Sequence, residues 1–281
     1  MGGRGSFFKH GDYDKKEKQT IEDVLSKEED ENFMEDVDTE LEHEGYTKKL
    51  LKKNIHIKQS TDGFKKDVLI PNIDKIDKLT NKYLGTVLML NNNKKELTIR
   101  ADKMKPTTRA YFKSYADNLQ GLRIVFNKDT RHSTREVLES FTKEQIDSGQ
   151  WVKCDKENLV NHTITHEFGH FIQRVLMQKE QQTEKGKRIY NEFKQNVKLK
   201  PEAYSEIQDK YFEDHARRVL TSIDNIQYKY FKHRFQTKDT SRYGRTNFCE
   251  TFAETFAELN NNKEPSTLAK SMEIYLGKHI K

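Results

Sequence analysis

His166-Glu167-Phe168-Gly169-His170 sets two imidazoles four residues apart with a carboxylate beside the first. On a helix, residues i and i+4 share one face about 6 Å apart, so both rings can reach a single Zn²⁺. Glu167 is then turned toward the coordination position left for water. Such a donor set suits hydrolysis: the metal brings the pKa of its water toward neutrality, and the carboxylate takes the proton during attack on a carbonyl. His162 extends the row, but eight residues of helix span about 12 Å. That is too far for His162 and His170 to share a tetrahedral ion, so His162 is read as a neighbour of the site or an exposed residue.

A third ligand is required. Gln173 and Leu176 stand where a metzincin would need glycine and histidine, which excludes that class. A thermolysin-like continuation would place its glutamate near Asn191-Glu192, but Phe193-Lys194-Gln195-Asn196 does not complete the motif, leaving Glu192 a weaker alternative. The stronger candidate segment runs from Ser241 to Glu254, where Glu250 and Glu254 lie one helical turn apart, opposite Phe248, Phe252 and Phe256. Two carboxylates on an apolar helix cost free energy unless a cation or donors satisfy them. On the helix alone, a surface helix with a solvated polar face is the favoured reading.

Tyr243-Gly244-Arg245-Thr246-Asn247, then Glu250 and Phe252-Ala253-Glu254, taken with the His166–His170 motif, resembles the metalloprotease domain of the anthrax lethal factor family. Its relatives include lethal-factor-like domains in bacteriophage head-associated proteins and bacterial peptidases. The resemblance covers roughly residues 120–279. It implies a zincin-like zinc endopeptidase with Glu250 as third zinc ligand and Tyr243 donating a hydrogen bond to the oxyanion or leaving group. Peptide or protein substrates follow, phage head proteins among them, as does a location in the host cytoplasm or the virion. Glu254 is assigned to hold a ligand imidazole in its tautomer. His170 and Glu250 are 80 residues apart, longer than the toxin leads one to expect, which implies a helical insertion around 180–235. The toxin's receptor-binding and substrate-recognition domains have no counterpart, so toxin delivery is not implied.

The elements that must position these residues are read from periodicity. Leu159, Val160, Ile164, Phe168, Phe171, Ile172, Val175 and Leu176 recur at three- and four-residue steps and predict a buried helical stripe. Further helices are expected near Ile73–Tyr83, over Thr108–Leu119 and Thr134–Phe141, from Glu202 through Ile223, and over Phe248–Leu259 and Ser266–Leu276. Gly85–Leu90, an Asn91–Asn93 turn and Leu97–Arg100 read as a hairpin. Leu122–Phe126 reads as a strand offering an edge to an extended substrate, and Trp151-Val152 as a short extended segment. Strands early and helices late predict an α+β class: a small mixed sheet packed on the motif helix, with a helical C-terminal part.

Of the 281 residues, 34% are charged and only 33% hydrophobic, and the charge is uneven. Residues 12–44 hold 15 Asp/Glu against four Lys, a net of −11. With +2 from Arg4 and Lys9 and a total of +6, residues 45–281 carry +15. Residues 1–45 are therefore expected to be an acidic, disordered head, and residues 46–281 the zincin-like domain. No run approaches the ~18 apolar residues of a membrane span, and the opening MGGRGSFFKHGDYDKK has no apolar core, so no secretion signal is expected. Cys154 and Cys249 form no C-x-x-C pair and cannot make a disulfide framework. Two other classes are set against the peptidase: a virion-associated structural or docking protein with a non-catalytic domain, and a basic nucleic-acid-binding protein using Tyr228–Phe235. That octet is expected to be a helix with an apolar stripe and basic flank, so a nucleic-acid partner is not favoured.

Overall fold

The computed structural model describes residues 55–57, 66–83, 97–102, 110–113, 122–127 and 134–280. The expected acidic head, and Gly85–Leu90 with its Asn turn, lie outside the described residues. Residues 134–280 form one continuous run of helices, α2 Arg135–Asp147, α3 His162–Gln181, α4 Glu184–Leu199, α5 Tyr204–Phe231, α6 Phe248–Asn261 and α7 Thr267–His279. Upstream lies α1, Lys66–Tyr83.

Helix starts follow local chemistry. Thr134, Thr183, Asn247 and Ser266 each accept a backbone N–H from the first turn of α2, α4, α6 and α7, satisfying donors that have no partner within the helix. A 3-10 turn over Lys156–Asn161 runs directly into α3. α5 ends where Lys232 takes a left-handed φ of 57°.

The expected α+β class is corrected. Helical residues make up 80% of 134–280, and no residue of that run is in a strand. The body that supplies most of the core and every candidate ligand is all-helical, because its apolar residues recur at helical steps throughout. Upstream, at the level of the backbone, β1 Ile55–Ile57, β2 Leu97–Asp102, β3 Ala110–Lys113 and β4 Leu122–Asn127 pair in the order β1-β2-β4-β3. β2 is parallel to both neighbours, and β3 is antiparallel to β4. Two local expectations fail here. The helix expected over Thr108–Leu119 contains β3 instead, where Ala110 and Phe112, two residues apart as one strand face requires, are both buried. β4 is not an edge: it lies between β2 and β3, and the strands with one described neighbour are β1 and β3.

The core centres on α3. Ile164, Phe168, Phe171 and Ile172 are fully buried and meet Phe252 and Phe256 of α6, Ile73 and Ile76 of α1, and Leu268 and Met272 of α7. Each such side chain contributes about 1.5–3 kcal/mol by leaving water. α3 and α6 approach closely because Gly169 presents no side chain: a Cβ there would lie 3.0 Å from Ala253 Cα and 3.2 Å from Phe256 Cβ. A second cluster joins Met177, Phe193, Val197, Tyr211, Phe212, Ala216 and Cys249. The octet at the end of α5 does not keep a buried stripe. Tyr228, Tyr230 and Phe231 are exposed, the helix stops at Phe231, and the Arg234 guanidinium stacks over Tyr228 at 4.2 Å.

Candidate metal centre

Two helices bring the site together. α3 contributes His166, Glu167 and His170, and α6 contributes Glu250 and Glu254. The start of α6 is fixed at two points. Asn247 accepts the Glu250 N–H at 2.9 Å, and Glu213 of α5 accepts the Phe248 and Cys249 N–H groups at 2.8 and 3.3 Å.

His166, His170 and Glu250 are buried, and one ligand atom from each lies within 4.8 Å of the others. Glu250 Oε2 is 3.0 Å from His166 Nε2 and 3.5 Å from His170 Nε2. Ligand atoms around a tetrahedral zinc at ~2.1 Å stand about 3.4 Å apart, so these separations fit one ion with little movement. His170 Nδ1 and Glu167 Oε2 are buried and lack a hydrogen-bond partner among the described residues. The solvated polar face allowed for α6 is ruled out, since Glu250 and Glu254 are 1% and 0% exposed.

Burial raises the cost of every charge here, and the groups respond to one another. Burial acts against charge on His166, but the hydrogen bonds and charges of Glu250 and Glu254 prevail and hold its pKa well above the usual value. Burial would likewise raise Glu250, yet His170 and His166 bring it down to about 2. Burial pushes Glu167 up to about 8, with Glu250 adding to the rise, while His166 and the Phe112 N–H, which its carboxylate accepts, oppose it. His170 is lowered, mainly by burial. Three carboxylates therefore surround two imidazoles in a dry site, an arrangement that favours a cation.

Glu254 orients the first imidazole. Its Oε1 is 2.8 Å from His166 Nδ1, and its Oε2 accepts the Val152 N–H at 2.9 Å and the Ser241 hydroxyl at 2.6 Å. With Nδ1 directed at Glu254, Nε2 of His166 is the nitrogen presented to Glu250. Burial works against the Glu254 anion, but its hydrogen bonds and the His166 charge lower its pKa overall.

Tyr243 is also at the site, its ring centroid 5.5 Å from that of His166. Its backbone is held by Gln150, whose carbonyl accepts the Tyr243 N–H at 3.0 Å. His162 does not join the donor group. It is buried with its ring flat against Trp151 at 4.8 Å, and burial lowers its pKa to about 4. Glu192 is exposed on α4 and is not part of the cluster.

Three contributors were not assigned roles from sequence: Phe112, the Val152 N–H and the Ser241 hydroxyl. Phe112 was hidden by the helical reading of its segment. It supplies the N–H on Glu167 and a ring stacked on His170 at 6.4 Å. The other two act through single hydrogen bonds spanning 102 and 13 residues, which no spacing rule encodes. Comparison of the chain with protein-family models, curated proteins and solved structures gives no match. No helix among the described residues is long and apolar enough to cross a membrane.

Proposed function

We propose that this chain is a zinc-dependent endopeptidase, with His166, His170 and Glu250 as ligands, Glu167 as general base and Tyr243 as oxyanion donor. The observation that carries the reading is the buried His166–His170–Glu250 group with Glu167 beside it on the same helix. Two imidazoles and a carboxylate also suit other divalent metals; the adjacent Glu167 and the resemblance to lethal-factor-like domains favour zinc and hydrolysis. Bound there, the ion would supply a water of near-neutral pKa and polarise the scissile carbonyl.

The chain's own residues do the rest. Glu167, the carboxylate next to His166 on α3, is suited by its place to take a proton from the attacking water and return it to the leaving nitrogen. The new C–O bond replaces the C–N bond, and the products are a carboxylate and an amine. Glu254 fixes the tautomer and orientation of His166. Tyr243, packed on His166, is the candidate donor to the developing oxyanion. β3, which carries Phe112 and is an edge among the described strands, offers an extended peptide a pairing edge beside Glu167.

Elemental analysis of the purified chain, together with a peptide-library digest read by mass spectrometry, tests this. One zinc per chain is expected, strongly reduced in His166→Ala and Glu250→Ala but not in Glu192→Ala, with cleavage abolished by chelator and restored by zinc. A chain that holds zinc and cuts no peptide would favour the docking alternative, and a metal-free chain would overturn the reading.

A further inference from the structure

Ser241 stands between the two halves of the site. Its hydroxyl donates to Glu254 Oε2 at 2.6 Å and accepts the Gly244 N–H at 2.9 Å. Glu254 in turn holds His166, while Gly244 follows Tyr243 in the turn that sets the tyrosine against the same imidazole. One buried oxygen, on a residue 7% exposed, thus uses its proton on the histidine-orienting carboxylate and its lone pair on the tyrosine turn.

The turn is closely fitted around this contact. A Cβ on Gly244 would meet Thr240 Oγ1 and come 3.2 Å from Ser241 Oγ. The Gly244 carbonyl accepts the Thr251 hydroxyl at 2.6 Å, and the Arg242 and Tyr243 N–H groups bind the Gly149 and Gln150 carbonyls at 3.0 Å. Those bonds tie the turn to α6 and to the segment after α2. The Ser241 hydroxyl reaches the ligand-orienting carboxylate itself, beside the Val152 N–H.

We propose that Ser241 is a positioning residue that couples the orientation of the metal-binding His166 to the placement of Tyr243. The inference rests on the metal-site reading above. Without the hydroxyl, Glu254 loses one of the two donors to Oε2 and the tyrosine turn loses its link to the ligand. Zinc affinity and Tyr243 placement should therefore weaken together. Partners of this kind typically change metal affinity about 10–100-fold.

The test uses the full chain, with zinc affinity from chelator competition and the visible spectrum of the Co²⁺-substituted protein as readouts. Ser241→Ala should bind zinc about 10–100-fold more weakly with a shifted Co²⁺ spectrum, and Ser241→Thr, which retains the hydroxyl, should restore both. Should Ser241→Ala not fold, Ser241→Cys, a weak donor of similar size, should fall between alanine and wild type. A folded Ser241→Ala with wild-type affinity and spectrum would overturn the role of Ser241 while leaving the metal site standing. If wild type binds zinc no better than His166→Ala, the metal-site reading and this inference fall together.

Discussion

His166 is held by a carboxylate at each ring nitrogen, Glu254 at 2.8 Å and Glu250 at 3.0 Å. One carboxylate fixes the ring, while the other shares the side on which a cation would sit. Tyr243 lies against the same ring and has no place in the ligand trio. Tyr243→Phe should therefore keep zinc and fold but lower turnover about 10²–10³-fold, the cost of one oxyanion hydrogen bond. Zinc analysis beside steady-state kinetics checks this, and loss of zinc would show that the hydroxyl serves the metal rather than the reaction.

At the scale of elements, the separation of α3 and α6 sets the distance between the histidines and Glu250. Gly169 determines that separation, since the neighbour of a new Cβ would be the Ala253 backbone, which cannot rotate away. Gly169→Ala gains about 1 kcal/mol of helix propensity and costs about 1–3 kcal/mol of overpacking. The expected net result is modest destabilisation in denaturant melts, with zinc binding weakened because α6 is displaced. A variant more stable than wild type with unchanged zinc affinity would show that the helices have slack. The sequence made α3 legible, since its stripe and its HExxH positions share one period. It left Glu250 to a resemblance, because an exposed and a buried α6 have the same carboxylate spacing. It misread Thr108–Leu119, where four residues of strand with Ala110 and Phe112 inward carry too short an alternation to compete with a helical pattern. The early strands also gave the sheet more weight than residues 134–280, all helix and connection, bear out.

For the molecule as a whole, buried neutral histidines predict how stability responds to acid. Burial, with Arg218 and Arg174 nearby, lowers His215 to about 3 from its ordinary 6.5. Below pH 6.5 the unfolded chain takes up a proton that the folded chain refuses until about pH 3, so this stability is full above 6.5 and declines as pH falls. Between pH 7 and pH 5 the loss from His215 is about 2 kcal/mol. Urea unfolding at both pH values should show that His215→Gln loses about 2 kcal/mol less than wild type on acidification. An equal loss in both chains would mean that His215 titrates normally. This feature was not read from the sequence, although His215 lies four residues from Tyr211 and Val219 and three from Phe212, on what is the buried face of α5. The α5 end also departs from its expected stripe: Tyr228, Tyr230 and Phe231 are exposed, and the helix stops at Phe231.

In the proposed reaction Glu167 would act as general base toward water without itself binding the metal. Glu167→Gln in a peptide-library digest, with zinc measured on the same sample, tests it directly. Full zinc content with cleavage reduced by about two to four orders of magnitude is the predicted result, since the base and its charge are both removed. Cleavage at the wild-type rate with zinc in place would contradict the account.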